Sequence, residues 1–191
     1  IVFKGGYDFP IRSGMISLIY KGVRNGKEVI LKMKRKDIVN RLEEAIDNLL
    51  FIIYLLSFIP NYDFDIPRII KENTDMIKNQ TDFIQEMENT MLIKKNCDRL
   101  KYVKIPKVYE EVTREFNDVI MMEFIKGERI DKISLKEYDS YAKQVVKFGL
   151  TTLLIHGAVH GDLHGGNIIF IKDNNDKKYP YKIGVIDFGI I

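Results

Sequence analysis

Residues 160–167 of this chain read His160-Gly161-Asp162-Leu163-His164-Gly165-Gly166-Asn167, and Asp187-Phe188-Gly189 follows nearer the C-terminus. Transfer of a phosphoryl group from a nucleotide needs a carboxylate that orients or deprotonates the acceptor, and oxygen ligands that hold Mg²⁺ on the phosphates. Asp162 suits the first role. Asn167 and Asp187 suit the second, because Mg²⁺ prefers hard oxygen ligands. The order of these residues is typical of kinase catalytic and metal loops.

Two other interpretations of this stretch are weaker. A glycine-rich turn with chance polar residues would not explain both motifs in one chain. The spacing of His160 and His164 suggests a zinc site, but glycines lie beside them and no third soft ligand is near. We therefore interpret these two histidines as groups that organise the loop by hydrogen bonds, and His156 as a packed or capping residue at a helix end.

The composition is that of a globular chain, with 191 residues of which 46% are hydrophobic and 30% are charged. Such a chain can bury a core without a disulfide or a structural metal, and the collagen, disordered-tail and disulfide-scaffold classes are excluded. Its 30 basic and 27 acidic residues are interspersed, so nucleic-acid binding is not indicated. The single cysteine, Cys97, is expected to pack in the core and suits a reducing compartment.

No secretory signal or membrane-spanning segment is visible, which favours a soluble protein. The longest apolar run, residues 49–59, is broken only by Ser57 and is well short of the ~20 residues that cross a bilayer. We expect it to be the buried end of a helix over residues 38–59, closed by Pro60 and followed by a loop over residues 61–67. A helix lying at a membrane surface is the alternative.

The N-terminal part is predicted to be an antiparallel sheet. Asn25-Gly26 separates two strand-like runs, and this pair supplies the positive φ angles of a type I′ hairpin. Lys32 ends the second run, Val29-Ile30-Leu31-Lys32, where a kinase has the lysine that contacts the nucleotide phosphates. We therefore assign Lys32 as the cation of the site.

The carboxylate partner of this lysine is expected on a helix over residues 82–96. Glu86 lies three residues after Phe83, close to the predicted buried face of that helix. We assign Glu86 to this role, with Glu88, on a different face of the helix, as the alternative.

The nucleotide is expected to bind between a loop near the N-terminus and the hinge of the two lobes. Residues 11–20 occupy the place of a glycine-rich phosphate loop but contain only one of its three glycines, so we expect a stiffer loop. The loop residues assigned to the nucleotide are Ser13, Gly14, Met15, Ile16 and Ser17. The hinge residues, whose backbone groups are expected to meet adenine, are Met122, Glu123 and Phe124.

The second half of the chain is predicted to alternate short strands with one long helix. Residues 107–112 and 118–125 are strand-like. The S-x-x-E spacing from Ser134 to Glu137 predicts a capping box at the start of the helix, and Gly157 is a suitable left-handed C-terminal cap. A hairpin of strands over 168–171 and 182–186 should follow.

This order of elements predicts an α+β chain with a bilobal protein-kinase-like fold. Residues 1–125 form the mainly antiparallel β N-lobe with inserted helices, and residues 126–191 form the hinge and a partial helical C-lobe. A kinase places its activation segment and much of its helical lobe after the Asp-Phe-Gly triplet. We therefore expect the chain to be a fragment or a severely shortened protein.

The motifs resemble those of the UbiB/ADCK family of atypical kinases. Residues 160–167 are similar to its H-A-D-P-H-P-G-N motif, with Leu163 in place of a proline, and residues 187–189 match its D-F-G. Residues 80–89 are similar to its E-x-D-(Y/F)-x-x-E-A-x-N helix, with Gln80 in place of the first glutamate, which supports Glu86 as the partner of the lysine. Residues 13–17 stand in place of the family's alanine-rich loop.

The resemblance implies ATP and Mg²⁺ as cofactors and an atypical kinase or ATPase activity, with a protein, a lipid or a small molecule as the acceptor. It also implies a link to coenzyme Q and lipid metabolism, and peripheral membrane association. Two alternatives stay open. Aminoglycoside and choline kinases have similar catalytic loops, which would make the chain a small-molecule phosphotransferase. The incomplete glycine loop would also fit a nucleotide-binding protein without catalysis.

Overall fold

The computed structural model describes residues 2–3, 9–56, 58 and 81–191. The strands form two sheets, and their bounds are β1 Val2–Phe3, β2 Arg12–Ser13, β3 Ser17–Arg24, β4 Lys27–Lys34, β5 Val103–Lys104, β6 Val119–Glu123, β7 Ile168–Lys172 and β8 Tyr181–Val185. The α-helices are α1 Ile38–Leu56, α2 Phe83–Cys97, α3 Glu110–Glu115 and α4 Tyr138–Thr151.

The first sheet is antiparallel and has the order β1-β3-β4-β6, with β2 also paired to β3. Asn25 and Gly26 connect β3 to β4 with φ angles of 50° and 74°, the positive values that a type I′ turn requires. This confirms the predicted hairpin. Its register pairs Lys32 with Ile19 on one side, and β6 pairs Lys32 with Ile120 on the other. Lys32 therefore lies in the interior of the sheet.

Successive residues of β4 point to opposite faces of this sheet. Leu31 is buried in a cluster with Met121 on one face. Ile30 packs on the other face, against a cluster that contains Phe83 of α2. Lys32 is two residues after Ile30 and shares its face, so its side chain points toward α2.

The second sheet consists of the β7–β8 hairpin, to which β5 adds in parallel. The hairpin confirms the two strands predicted after the catalytic loop. α4 packs on this sheet, because Tyr141 and Phe148 of the helix are buried in one core with Ile183 of β8. Phe188 belongs to the same core, which anchors the chain immediately after Asp187.

The connection between the two sheets runs through residues 124–127. The Phe124 N–H donates to the Glu28 carbonyl in the first sheet at 3.2 Å, and the Glu128 N–H donates to the Phe170 carbonyl in the second at 2.8 Å. A Cβ at Gly127 would lie 2.7 Å from that Phe170 oxygen, so only glycine lets the chain pass this close to β7. The lobe boundary predicted at residue 125 falls in this connection and stays a prediction.

The strand predicted over residues 107–112 is wrong. Only Val108 makes a single β-bridge, to Met122, and the chain then turns into α3. Two acidic residues occupy the first turn of this helix, where they favour its positive end. Arg114 also pairs with Glu110 one turn earlier, at 2.6 Å. The short helix thus has local support that an alternating apolar pattern does not reveal.

The predicted capping box is also wrong. The Ser134 side chain makes no capping bond, and residues 135–137 form a 3₁₀ turn before α4 begins at Tyr138. The Glu137 carboxylate interacts with the Ser134 N–H and also binds Lys172 of β7, with Nζ at 2.6 Å. At the other end, α4 continues as a π-helical turn over Thr152–His156 and ends at Gly157 with a φ of 64°, which confirms the predicted left-handed cap.

The prediction that residues 49–59 form a buried helix end is wrong for the described part of that run. α1 ends at Leu56, and Ile53 is its only buried residue. Apolar side chains occur on all sides of α1, but the rest of the described chain packs against only one side of the helix. Phe51 and Tyr54 are therefore exposed. Pro60 and the loop predicted over residues 61–67 lie outside the described residues. None of the helices described is long and apolar enough to span a membrane.

Candidate active site

The Nζ atom of Lys32 lies between two carboxylates. It is 2.9 and 2.8 Å from the two carboxylate oxygens of Glu86, and 3.2 Å from Oδ1 of Asp187. The Lys32 and Glu86 side chains are nearly buried, whereas the Asp187 side chain is 43% exposed. Strand β4, helix α2 and the segment after β8 therefore meet at one ammonium group.

The charge of Lys32 is maintained by these neighbours. Burial alone would lower the pKa of Lys32, but the negative charges of Glu86 and Asp187 outweigh it and raise that pKa above its usual value. Burial raises the pKa of Glu86, against the opposing effect of the Lys32 ammonium. Lys32 is therefore a cation at neutral pH, placed where a negatively charged ligand can reach it.

Helix α2 brings the glutamate to this position. Asp82 caps the helix and accepts a hydrogen bond from the Gln85 N–H at 3.0 Å, as is usual for aspartate at a helix start. Glu86 is 2% exposed and meets the lysine, whereas the Glu88 carboxylate lies at the surface, 3.7 Å from Arg114. The predicted helix and the choice of Glu86 for the ion pair are confirmed. The part of Glu86 in catalysis stays a prediction.

His160 organises the loop that follows α4. Its Nε2 lies 3.1 Å from the Ile186 carbonyl oxygen, and its Nδ1 accepts a hydrogen bond from the Asp162 N–H at 3.2 Å. The two bonds together require a neutral ring with its proton on Nε2. Burial lowers the pKa of His160, which favours this neutral form. The predicted loop-organising role of His160 is confirmed.

His164 and Asn167 hold the second half of the loop. His164 Nδ1 accepts a hydrogen bond from the Gly166 N–H at 2.9 Å, and Asn167 Nδ2 donates to the Asp162 carbonyl at 3.0 Å. Because the amide nitrogen of Asn167 is used in this way, its amide oxygen is the atom available to a cation. The Asp162 side chain is 53% exposed, so its carboxylate is accessible to an acceptor molecule.

Asp187 is held in an uncommon backbone conformation. Its φ is +66°, in the left-handed region that residues other than glycine rarely adopt. The next residue, Phe188, is buried, and its ring centroid lies 4.9 Å from that of His160. The Phe188 carbonyl accepts a hydrogen bond from Asn89 of α2 at 2.9 Å. These contacts direct the Asp187 carboxylate to Lys32, and strain of this kind is concentrated at functional sites.

Two cavities meet at Lys32 and Asp187, which line both. The larger, of about 490 Å³, has apolar and hinge residues in its walls, among them Ile19, Ile30, Met122, Glu123, Phe124, Ile169 and Ile186. The smaller, of about 430 Å³, has loop residues from both sheets, among them Gly14, Met15, Ile16, Ser17, Asp162 and His164. An apolar cavity that joins a polar one suits a ligand with a flat base and a charged tail.

The loop predicted to bind the nucleotide is restrained by its own bonds. The Gly14 N–H donates to the Ser17 carbonyl at 2.9 Å, and it is therefore turned inward rather than toward a phosphate. Arg35 donates from Nε to the Gly14 carbonyl at 2.9 Å and from Nη2 to Ser13 Oγ. Ser13 is thereby directed to Arg35, while the other four predicted loop residues line the smaller cavity.

The hinge residues lie where the sequence predicted, but the backbone N–H groups of two of them do not face the cavity. The Glu123 N–H donates to the Lys107 carbonyl at 2.8 Å, and the Phe124 N–H donates to the Glu28 carbonyl at 3.2 Å. Both N–H groups are already hydrogen-bonded to neighbouring backbone carbonyls, because backbone hydrogen bonding continues beyond the end of β6. Ile125 also lines the larger cavity, and its N–H makes no backbone bond within the described residues.

The oxygen atoms of the two predicted metal ligands suit Mg²⁺. Asp187 presents a carboxylate and Asn167 an amide oxygen, and both are hard ligands of the type that Mg²⁺ accepts together with water and phosphate. The Ile186 N–H donates to the Asn167 carbonyl at 3.0 Å, which brings the two predicted ligands to neighbouring segments. Within the described part of the chain, no three His, Cys, Asp or Glu side chains are grouped to hold a metal ion.

Three residues that are not among the predicted site residues shape the site. Asn89 binds the Phe188 carbonyl, Arg35 restrains the loop, and Arg12 NH1 donates to the Gly166 carbonyl at 3.2 Å. A signal for Asn89 was present, because it follows Glu86 by three positions on the same helix. Arg12 had none, because its partner is 154 residues away.

Comparison with known families and curated proteins gives consistent matches. The family model of the ABC1 atypical kinase-like domain matches residues 2–191. The chain is 28% identical over 186 residues to Protein ACTIVITY OF BC1 COMPLEX KINASE 8, chloroplastic, of Arabidopsis thaliana, covering 93% of this chain and 24% of that protein. It is 29% identical over 176 residues to a probable protein kinase UbiB of Glaesserella parasuis, covering 87% of this chain and 31% of that protein. The chain thus spans less than a third of the length of these relatives.

Two solved structures have a similar fold. One is the complex of Rv3197 with erythromycin from Mycobacterium tuberculosis, with a TM-score of 0.73 and 21% identity over 98% of this chain and 46% of that one. The other is the Rio2 kinase-ADP/Mg²⁺-phosphoaspartate complex from Chaetomium thermophilum, with a TM-score of 0.52 and 17% identity over 99% and 48%. These similarities confirm the predicted fold class, an α+β protein-kinase-like fold with an antiparallel N-terminal sheet.

Proposed function

The chain belongs to the ABC1 atypical kinase-like domain family, and from this premise we propose that it is an ATP- and Mg²⁺-dependent atypical kinase or ATPase of UbiB type. The observation that carries the proposal is the position of Lys32, whose Nζ contacts Glu86 at 2.8 Å and Asp187 at 3.2 Å. Phosphoryl transfer depends on a phosphate-binding cation held beside a metal-binding carboxylate. The names of relatives as protein kinases support a phosphotransferase at the level of the family.

In this proposal the two cavities divide the nucleotide between them. The base occupies the larger cavity, against Ile30 and the hinge, and the phosphates extend past Lys32 into the smaller one. The residues 14–17 cover the phosphates from the side of the first sheet. The proposal assigns the Ile125 N–H, which makes no backbone bond within the described residues, to the edge of the base, because a backbone donor in a cavity needs a partner.

The chemistry follows from the charges of the site. The Asp162 carboxylate accepts the proton of an acceptor hydroxyl, or of water, and the acceptor oxygen bonds to the γ-phosphorus as the bond to the ADP oxygen breaks. Lys32 neutralises phosphate oxygens, and Glu86 positions Lys32. When bound by Asn167 and Asp187, Mg²⁺ supplies further positive charge on the phosphates.

The proposal is tested first by nucleotide binding. Lys32→Ala should weaken binding of ATP with Mg²⁺ by about 10- to 100-fold, the effect of losing one hydrogen bond to a charged group. Lys34→Ala is the matched control, because Lys34 lies on the same strand but pairs with Asp118 at 2.9 Å. Lys32→Met keeps the aliphatic stem and serves if the alanine variant does not fold. Equal affinity of wild type and both Lys32 variants would refute the assignment.

Catalysis is tested separately by release of γ-phosphate. Asp162→Ala should abolish release and retain nucleotide binding, because the Asp162 side chain is half exposed and its removal disturbs no core. Asp187→Asn should weaken the Mg²⁺ dependence of nucleotide binding. A wild-type protein that binds ATP but releases no phosphate, with or without candidate acceptors, would instead be a non-catalytic nucleotide-binding protein.

The acceptor class is tested with ATP labelled in the γ-phosphate. Protein, lipid, aminoglycoside and choline acceptors are offered in parallel, with Asp162→Ala as the blank. Label in phosphate alone indicates an ATPase, and label in protein or lipid indicates a kinase. Turnover of an amino sugar or of choline would indicate the small-molecule phosphotransferase.

A further inference from the structure

The side chain of Arg12 reaches across the cleft. Arg12 belongs to β2, at the start of the loop over residues 14–17, and its NH1 group donates a hydrogen bond of 3.2 Å to the carbonyl oxygen of Gly166 in the catalytic loop. Arg12 also lines the larger cavity together with Lys32 and Asp187. Its guanidinium therefore connects the two segments that face each other across the proposed nucleotide site.

The Arg12 side chain meets the catalytic loop at Gly166. A Cβ at Gly166 would lie 2.5 Å from Cε1 of the exposed His164 ring and 3.5 Å from Arg12 Nη2, so a larger residue would have to displace that ring. The N–H of Gly166 donates to His164 Nδ1 at 2.9 Å, while its carbonyl accepts from Arg12. Both backbone groups of Gly166 are thus engaged, and the next residue, Asn167, binds Asp162. The contact of Arg12 acts directly on the segment that carries the proposed catalytic residues.

Strand β2, which carries Arg12, is also restrained. β2 pairs with β3, with Arg12 opposite Ile19, so the backbone of Arg12 is part of the first sheet. The loop that follows is held by Arg35, through bonds to Ser13 Oγ and to the Gly14 carbonyl. Because the loop cannot move freely relative to β2, a bond made by Arg12 also determines how far residues 14–17 stand from the catalytic loop.

We propose that Arg12 is a positioning residue that latches the nucleotide loop onto the catalytic loop and thereby slows nucleotide release. This proposal rests on the proposed nucleotide binding and names a further determinant of it. The bond must open for a nucleotide to leave between the two loops. Its loss should raise the release rate about threefold to tenfold, the effect of a single exposed hydrogen bond.

The latch is tested first without nucleotide, by hydrogen exchange of backbone amides. Arg12→Met keeps most of the aliphatic stem and removes every donor. The Gly14 and Gly166 amides should exchange about threefold to tenfold faster in this variant. Arg114→Met is the matched control, because Arg114 is an exposed arginine that pairs with Glu110 of its own helix at 2.6 Å and lines neither cavity.

Nucleotide release is then measured by stopped-flow fluorescence with a fluorescent ATP analogue and Mg²⁺. Arg12→Met should release the analogue faster, Arg12→Lys should be intermediate because it retains a donor, and Arg114→Met should resemble wild type. The thermal unfolding midpoint should stay unchanged in all three variants, because a purely structural role for Arg12 would lower it.

The outcomes separate the latch from the proposed function. A wild-type protein that binds no nucleotide contradicts the proposed function, and exchange rates in the free protein then still decide whether the latch exists. If Arg12→Met exchanges and releases nucleotide as wild type does, the latch is refuted while nucleotide binding stands. Faster exchange with unchanged release would refute the control of release by Arg12.

Discussion

Lys32 Nζ and Glu86 Oε2 lie 2.8 Å apart, although the two residues are separated by 54 positions in the chain. β4 directs the lysine to one face of the first sheet, and α2 lies against that face through Phe83. Both members of the pair are nearly buried, and Asp187 lies 3.2 Å from the same ammonium. The pair therefore joins the N-terminal sheet to the segment that carries the proposed metal ligand.

Loss of Glu86 is expected to destabilise the protein strongly. Glu86→Ala leaves the buried Lys32 ammonium with Asp187 alone, and removal of one partner of a buried pair costs about 3–5 kcal/mol. Urea unfolding measures the change in the free energy of unfolding. Glu88→Ala on the same helix is exposed and should change it by less than about 0.5 kcal/mol. Similar losses in the two variants would contradict the importance of the pair.

Asn89 is expected to control the segment around Asp187. Asn89→Leu leaves the Phe188 carbonyl without its donor in a buried place, which costs about 1–3 kcal/mol. Because Phe188 follows Asp187, the variant should also bind ATP with a weaker dependence on Mg²⁺. Gln85→Ala is the control. It removes the 2.8 Å hydrogen bond that the Gln85 side chain donates to Asn89 Oδ1, and it leaves the bond from Asn89 to the Phe188 carbonyl. An unchanged Mg²⁺ dependence in Asn89→Leu would argue against this role.

The stability is expected to fall as the pH is lowered through and below 6.5. His160 in the unfolded chain takes up a proton near its usual pKa of 6.5, whereas burial lowers the pKa in the folded protein. The unfolded state therefore binds more protons in this range, so the free energy of unfolding decreases with falling pH until the folded ring is protonated as well. Urea unfolding on both sides of pH 6.5 measures this slope.

A pair of histidine variants assigns the slope to its source. Glutamine has a donor and an acceptor but does not titrate, so His160→Gln should lessen the dependence on pH. His164→Gln, at an exposed side chain of the same loop, should change it much less, because the charge of His164 is the smallest of the effects on the pKa of His160. An equal slope in wild type and His160→Gln would mean that another group is responsible.

Two glycines are expected to respond in opposite directions to alanine. Gly127→Ala places a Cβ 2.7 Å from the Phe170 carbonyl oxygen, and such overpacking costs about 1–3 kcal/mol. Gly149 lies in α4 with no atom within 4 Å of an added Cβ, so Gly149→Ala should stabilise the protein by about 0.5–1 kcal/mol. Both values come from urea unfolding, and a stabilising Gly127→Ala would show that the two sheets can separate at no cost.

Elements whose signals lie within a few residues could be predicted from the sequence. The Asn25-Gly26 turn and the Gly157 cap depend on local backbone geometry, and both are present. The Ser134 capping box is incomplete because the Ser134 side chain makes no capping bond, and Glu137 also binds Lys172, 35 positions away. The buried end of α1 failed because hydrophobicity does not specify which side of a helix finds a partner.

The sequence by itself determined the order of the chemical groups: a lysine on a strand, a glutamate on a helix, and the loops with Asp162, Asn167 and Asp187. It also determined the family, because those motifs are continuous stretches of chain. Only the tertiary structure decided that Asp187 joins Glu86 at the lysine, that Glu88 pairs with Arg114 at the surface, and that Arg12 closes on Gly166. These contacts depend on how α2 and the two sheets pack, and packing joins surfaces from distant parts of the chain that no local pattern encodes.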